Sequence, residues 1–100
     1  MPVVKFFNPL GDGVWLATEL DADGDTLFGL ADLGEPELGY FSLEEMVSVR
    51  LPFGFGIERD ILFSGDFPIS VWAEAAREVG SIRRAERIIY AAARARREGA

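Results

Sequence analysis

The chain has 100 residues, of which 49% are hydrophobic and 12% aromatic, and it carries a formal net charge of −7. This length fits one domain, and the hydrophobic content is sufficient for a core, which argues against intrinsic disorder. The absence of His and Cys excludes disulfides and thiolate metal sites and removes the commonest catalytic side chains. With no leader pattern and no long apolar run, we expect a cytoplasmic protein.

Four strands are predicted from short runs rich in β-branched and aromatic residues. They span residues 3–7, 14–19, 26–31 and 38–41. The acidic, glycine-containing segment 21–25 predicts a hairpin loop between the second and third strands.

A short helix is predicted next, because Ser42 and Glu45 form a capping-box pattern. It runs to about residue 49, with Leu43, Met46 and Val47 facing inward. Residues 51–56 contain Pro and two Gly and predict an irregular segment, and residues 57–63 predict a last strand that crosses the sheet.

The C-terminal third has helical spacing instead. Pro68 suits the first turn of a helix that Gly80 ends, and Ser81 caps a second helix with an apolar stripe. The predicted fold class is α+β: a small antiparallel sheet with one short inserted helix, followed by two C-terminal helices. These helices could also pair with a second copy in a homodimer, through Trp72, Ile82, Ile88 and Ile89.

Charge divides the chain at the same place. Residues 1–66 carry 13 Asp and Glu against three Lys and Arg, whereas residues 67–100 carry seven Arg against four Glu. We therefore predict an acidic α+β domain over 1–66 and a helical, Arg-rich extension over 67–100 packed on it. The acidic balance disfavours direct nucleic-acid binding and favours docking on a basic protein surface. Exposed Arg on the extension is best interpreted as a solvated face that pairs with the acidic body.

Several segments resemble a bacterial family known only as domain of unknown function 2958. They are KFFNP (5–9), WLATE (15–19), LFGL (27–30), EPELGYFSLEE (35–45) and GIERD (56–60). The resemblance covers residues 3–63 and leaves 64–100 as an added helical module. It implies a fold and a setting on phages, plasmids and other mobile elements, and it implies no catalytic residues. By size, charge and setting, the chain also resembles anti-CRISPR and other anti-defence proteins, which is an analogy rather than a shared fold.

The acidic side chains of the first part form a candidate partner-binding surface. Charge runs of this kind are usually an ordinary solubilising surface. The functional alternative is a surface that would imitate the phosphates of nucleic acid and engage Lys and Arg of a partner. An EF-hand interpretation fails because Thr26 stands where the calcium loop needs Gly, so no metal or cofactor is predicted. The predicted surface comprises Asp21, Asp23, Asp25, Asp32, Glu35, Glu37, Glu44 and Glu45.

Two further motifs have competing interpretations. Phe53 and Phe55 either plug the core beneath their Gly-spaced loop or form exposed aromatic anchors for a partner. Glu58 and Asp60 flank Arg59, and this pattern favours a structural ion-pair network involving Arg59 over a carboxylate active site.

From these patterns we expect a non-enzymatic inhibitor from a mobile element. It would bind a CRISPR-Cas effector or another nucleic-acid-targeting defence complex and block its engagement of nucleic acid. The alternative is an accessory or scaffolding protein of plasmid maintenance or conjugation that self-associates through its C-terminal helices. A carboxylate-dependent hydrolase is the weakest of the three hypotheses.

Overall fold

The computed structural model describes residues 1–99 and confirms the predicted fold class. Five antiparallel strands form one sheet in the order β4-β3-β2-β1-β5, with a short helix after β4 and two helices at the C-terminal end. The strands are β1 (Val4–Phe7), β2 (Val14–Leu20), β3 (Thr26–Asp32), β4 (Pro36–Ser42) and β5 (Glu58–Arg59). The helices are α1 (Leu43–Ser48), α2 (Ile69–Val79) and α3 (Ile82–Gly99).

The larger core lies between one face of the sheet and the two C-terminal helices. Leu16 of β2 stands opposite Leu30 of β3, and both are fully buried against α2 and α3. Trp72 fills the centre of this core from α2, and Ile82 closes it from the first turn of α3. The predicted acidic part and the predicted helical part therefore contribute to one shared core.

The turn between α2 and α3 follows the prediction closely. Gly80 adopts a left-handed conformation (φ 90°), and its N–H donates to the carbonyl of Ala76, which ends α2. Ser81 then accepts a hydrogen bond from the N–H of Arg84 at 3.1 Å, as expected of an N-cap residue. In residues 1–99, no helix combines the length and the apolar character that crossing a membrane requires.

A smaller core covers the opposite face of the sheet. Met46 of α1 packs with Ala17 and Leu27, and residues around Ile57 close the edge of this cluster. The β2–β3 register shifts between Ala17 and Glu19. Gly29 faces this irregularity, and a Cβ there would overlap the main-chain carbonyl oxygen of Leu16, so the close approach of the two strands requires glycine.

Two local predictions are wrong. The strand predicted over 57–63 is limited to Glu58–Arg59. After it, the Asp60 side chain accepts a hydrogen bond from the N–H of Leu62 at 2.9 Å, and the Asp60 carbonyl accepts one from the N–H of Phe63. These bonds form a turn that directs the chain away from the sheet. Val47 does not face inward but is 63% exposed, since a helix of only six residues buries one side chain, Met46.

The proposed dimer surface on the helices is mostly occupied. Trp72, Ile82 and Ile89 are buried in the chain's own larger core, because α2 and α3 use their apolar stripes to cover the sheet. Only Ile88 of that set is exposed. In this fold, the other three side chains are not available to a second copy.

Candidate functional site

The predicted acidic surface is divided between two ends of the sheet. Strand β4 is the edge strand, and its pairing with β3 runs from Asp32 opposite Pro36 to Thr26 opposite Ser42. A seven-residue strand is about 20 Å long. Near Pro36 lie Asp32, Glu35 and Glu37, and near Ser42 lie Asp21, Asp23, Asp25, Glu44 and Glu45. The acidic residues thus lie at the two ends of the β3–β4 pair and do not gather at one point.

Three of the aspartates hold the fold together. Asp23 accepts hydrogen bonds from the N–H groups of Asp25 and Thr26 and from the Thr26 hydroxyl. The Thr26 hydroxyl bond, followed by the main-chain bonds, lowers the pKa of Asp23 below its usual value. Asp25 accepts the Ser42 hydroxyl at 2.8 Å and the N–H of Glu44 at 2.7 Å, which ties the hairpin loop to α1.

Asp32 is the clearest departure from the predicted surface. Only 3% of it is exposed, and its carboxylate accepts the N–H of Gly34 at 3.0 Å and the buried N–H of Ile82 at 2.9 Å. It therefore caps the first turn of α3 from 50 residues away in the sequence. This role uses both carboxylate oxygens, so Asp32 is a structural residue and not part of an exposed acidic surface.

We expect Asp32→Ala to lower the free energy of unfolding by about 2–3 kcal/mol, because it leaves a buried N–H group without a partner. Urea unfolding followed by circular dichroism measures this loss. Asp21→Ala is the matched control, because Asp21 is exposed and only bonds the adjacent N–H of Ala22. Equal losses in the two variants would contradict the capping role.

The glutamates behave differently from these aspartates. Glu35, Glu37, Glu44 and Glu45 are all exposed. Within residues 1–99, none of their carboxylates forms a hydrogen bond or an ion pair with another side chain. The fold therefore leaves these four charges unpaired within residues 1–99.

Strand β4 carries exposed apolar groups between these two glutamate pairs. Tyr40 is 75% exposed, although its ring packs edge-on against Phe28 with the ring centroids 5.1 Å apart. Leu38, two residues earlier in β4, is also exposed. A surface cavity of about 710 Å³ lies at the Glu35 and Glu37 end, where Arg77 and Gly80 of the α2 terminus form the other wall. We define residues 35–45 as the β4 edge.

The two predicted aromatic anchors are exposed rather than buried. Phe53 is 93% exposed and Phe55 43% exposed, so neither plugs a core. Phe53 also has a left-handed backbone conformation, with φ 62° and ψ 22°, followed by Gly54 at φ 80°. This conformation is strained for a bulky residue, and no burial of the ring offsets the strain.

We expect Phe53→Asn to raise the free energy of unfolding by about 0.5–1 kcal/mol, because Asn tolerates the left-handed conformation better than Phe. Thermal unfolding of the variant measures the gain. Phe55→Asn serves as the control, since Phe55 has an extended backbone (φ −75°, ψ 160°) and offers no such strain to relieve. A loss of stability in Phe53→Asn would show that the ring contributes contacts to the fold.

A buried charged cluster escaped the sequence interpretation entirely. Lys5 of β1 is only 6% exposed, and its ammonium group contacts both carboxylate oxygens of Glu86 at 2.7 and 2.9 Å. Asp60 lies 3.6 Å from the same ammonium, and the Tyr90 hydroxyl donates to Glu86 at 3.3 Å. The alternation along β1 placed Lys5 on the helix-covered face, but nothing in the sequence indicated that Glu86 would meet it there.

The Arg59 prediction is corrected by this cluster. Within residues 1–99, Arg59 forms no ion pair, and Asp60 pairs with Lys5 instead, because β5 ends at Arg59 and Asp60 turns toward β1. Exposed Arg residues of α3 mostly contact main-chain and aromatic groups: Arg83 donates to the carbonyls of Asn8 and Gly11, and Arg96 stacks over Phe67. The predicted pairing with the acidic body is represented by Arg97 and Asp66 at 3.8 Å.

Burial, aided by the negative charge of Glu86, raises the pKa of Tyr90 to about 12 from an ordinary value of 10.0. The unfolded chain therefore loses this proton at lower pH than the folded chain, so the contribution of Tyr90 to stability is full below pH 10 and falls as the pH rises through 12. We expect the stability advantage of the wild type over Tyr90→Phe to shrink over that interval.

Urea unfolding at several pH values from 8 to about 12 measures this difference. Absorbance titration of the Tyr40→Phe variant, in which Tyr90 is the single remaining tyrosine, reads the pKa directly. An advantage that stays constant with pH would contradict the shift.

The polar groups of this cluster bond within the cluster. Glu86 accepts hydrogen bonds from both Lys5 and Tyr90, and residues 1–99 contain no group of three or more acidic residues placed to hold a metal ion. The arrangement joins β1 to α3. For binding, the exposed β4 edge is the stronger candidate.

Residues 1–83 match the family described as "Protein of unknown function (DUF2958)". The chain belongs to this family. No curated protein and no solved structure matches the chain. The match corrects the predicted extent of 3–63, since it continues through α2 into the first turn of α3. The helical segment up to residue 83 is therefore part of the family's domain and not an addition to it.

Proposed function

We propose that this DUF2958 protein is a non-enzymatic inhibitor encoded by a phage or plasmid. It binds a CRISPR-Cas effector, or another nucleic-acid-targeting defence complex of the bacterial host, and blocks the engagement of nucleic acid. Binding occurs through the β4 edge, where exposed carboxylates take the place of phosphates against Lys and Arg of the complex.

The observation that carries this proposal is the separation of free from structural carboxylates along β4. Asp23, Asp25 and Asp32 are used internally, whereas Glu35, Glu37, Glu44 and Glu45 have no internal partner in residues 1–99. Two pairs of free negative charges lie about 20 Å apart along the seven-residue strand, a length over which one strand of B-form DNA presents about six phosphates to a basic groove.

The physical mechanism is electrostatic competition. A basic groove that binds phosphates gains affinity from neutralising them, and the same Lys and Arg gain similarly from carboxylates. The net charge of −7 on 100 residues adds long-range attraction to such a groove and speeds association. Binding of this kind weakens as salt increases, because counter-ions screen exposed charges.

The test uses the full chain, immobilised through a tag, against lysates that express defined CRISPR-Cas complexes. Capture is measured at low and high salt, and the captured complex is then assayed for binding to its target DNA. We expect stoichiometric, salt-sensitive capture of one complex and loss of its DNA binding. Capture of no such complex, or capture that leaves DNA binding intact, would overturn the proposal.

Two charge-matched variants sharpen the result. One replaces Glu35, Glu37, Glu44 and Glu45 by Gln, and the other replaces the exposed residues Asp12, Glu58, Glu74 and Glu98 by their amides. Each variant removes four negative charges, so the net charge is −3 in both. We expect at least a tenfold loss of affinity in the first variant and a much smaller loss in the second. Equal losses would show that net charge acts alone, without the β4 edge.

A further inference from the structure

The two edges of the sheet differ in a way that bears on recognition. Strand β5 has two residues, which is too short to template another strand, whereas β4 has seven. Outside its ladder with β3, no main-chain group of residues 36–41 forms a main-chain hydrogen bond within residues 1–99. Alternate N–H and C=O groups of this part of β4 therefore point away from the sheet without a partner in residues 1–99.

Three common protections of an edge strand are missing from β4, although the glutamates of the β4 edge disfavour an acidic partner. These protections are lysines, a mid-strand proline and a bulge, each of which hinders pairing with another chain. Here the one proline, Pro36, begins the strand, and the irregularity lies on β2 between Ala17 and Glu19. Tyr40 and Leu38 are exposed at the centre instead. The edge is open to a further strand.

The side chains of β4 indicate which strand would fit. Leu38 and Tyr40 share the face of the sheet that carries α2, because they stand opposite Leu30 and Phe28 in the register. An added strand would place alternate side chains against this apolar pair. Glu37 lies on the other face, and Glu35, Glu44 and Glu45 flank the ends, so the complementary strand carries Lys or Arg at those points.

A second copy of this chain is a poor occupant by the same reasoning. Antiparallel pairing of two β4 strands would bring eight exposed glutamates to one interface, because each copy carries Glu35, Glu37, Glu44 and Glu45 along this edge. Both copies also carry a net charge of −7. Like charges disfavour such pairing, whereas a basic strand gains from every one of these groups.

We propose that β4 accepts an extended, basic segment of the partner protein as a sixth strand of the sheet. Main-chain hydrogen bonds along residues 36–42 supply affinity, Leu38 and Tyr40 select apolar side chains on one face, and the glutamates select Lys or Arg. This inference rests on the proposed function, since it names the chemistry by which the β4 edge holds its partner.

The direct test uses a nine-residue synthetic peptide that alternates Lys with Val, and the full-length protein labelled for NMR. We expect shifts and slowed hydrogen exchange at main-chain amides within residues 36–42, and no binding of the matched peptide that alternates Glu with Val. Two further peptides are N-methylated on one or the other set of alternate residues, which blocks main-chain donors and keeps every charge. One of them should bind at least tenfold more weakly than the unmodified peptide.

Protein variants complete the design. Tyr40→Lys places a charge at the centre of the edge and should reduce peptide binding at least tenfold, and its fold should persist because the side chain is already exposed. Val47→Lys, at an exposed position outside the edge, is the control and should bind normally. Self-association of the wild type in size-exclusion chromatography that Tyr40→Lys abolishes would identify a second copy as the occupant and overturn the proposal.

The outcomes separate this inference from the proposed function. Two results together would overturn strand addition alone. In the first, a defence complex is captured but the β4 amides stay unprotected. In the second, both N-methylated peptides bind as tightly as the unmodified one. Strand addition by the peptide, without any defence complex captured, would overturn the proposed function and leave the recognition chemistry of β4 supported.

Discussion

Replacing Lys5 by Ala is expected to reduce the free energy of unfolding by about 3–5 kcal/mol, the cost of breaking a buried ion pair by removing one partner. The ammonium group of Lys5 has two charged hydrogen bonds to Glu86 and lies near Asp60. Without it, two half-buried carboxylates remain near each other, and within residues 1–99 Glu86 keeps only the Tyr90 hydroxyl as a donor. The loss therefore exceeds that of an ordinary surface charge.

Urea unfolding of Lys5→Ala, Glu86→Ala and the double variant forms a mutant cycle for this pair. We expect the double variant to be more stable than the sum of the two single losses predicts, because neither charge is then left alone. Arg97→Ala is the control: its ion pair with Asp66 is long and exposed, so a change within about 0.5–1 kcal/mol is expected. A loss as small as this in Lys5→Ala would show that water reaches Glu86.

A further variant distinguishes stability from specificity. Lys5→Met together with Glu86→Leu replaces the pair by apolar groups of similar size, and such replacements are often neutral or stabilising. If this variant is as stable as the wild type, the pair serves to fix the position of α3 on β1 rather than to supply net stability. Sharp, dispersed NMR spectra in the wild type and broadened ones in this variant would support that role.

The strands and helices were predictable because each has a local pattern. Alternation identified β2 and β3, and Ser42, Gly80 and Ser81 marked helix boundaries by their capping chemistry, which depends on neighbouring residues only. The capping box at Ser42 is only half formed, however. Ser42 accepts the N–H of Glu45, but within residues 1–99 the Glu45 carboxylate does not accept the N–H of Ser42. The Ser42 hydroxyl donates to Asp25, a residue 17 positions away.

The predicted acidic surface was wrong at Asp32, where a long-range contact decides the residue's role. Asp residues usually lie on the surface. Asp32 is buried because its carboxylate accepts a hydrogen bond from the N–H of Ile82, which lies 50 positions later. Lys5 and Glu86 are 81 positions apart. No local pattern encodes such meetings, because they depend on how α3 lies across the sheet. The four glutamates remain as predicted surface residues, since exposure was correctly indicated by their charge and turn context.

Trp72 connects the two parts into which we divided the chain at residue 66. Its side chain is fully buried between the sheet and α3. The centroid of its ring lies 5.6 Å from that of Phe63 and 6.1 Å from that of Tyr90. Phe63 lies before the predicted boundary and Tyr90 after it. A residue that joins the two parts in this way makes them unfold together.

We expect Trp72→Ala to cost about 3–5 kcal/mol, because it removes the largest buried side chain and leaves a cavity that the sheet and two helices cannot close. Trp72→Phe should cost much less, since the buried indole N–H has no hydrogen-bond partner in residues 1–99 and its removal breaks no bond. Circular dichroism during urea unfolding measures both losses. The curves should keep one transition, with sheet and helix signals lost together. If Trp72→Ala loses its helices first and retains a folded sheet, residues 1–66 form an independent unit. A large loss of stability in Trp72→Phe would show that the indole N–H is hydrogen-bonded.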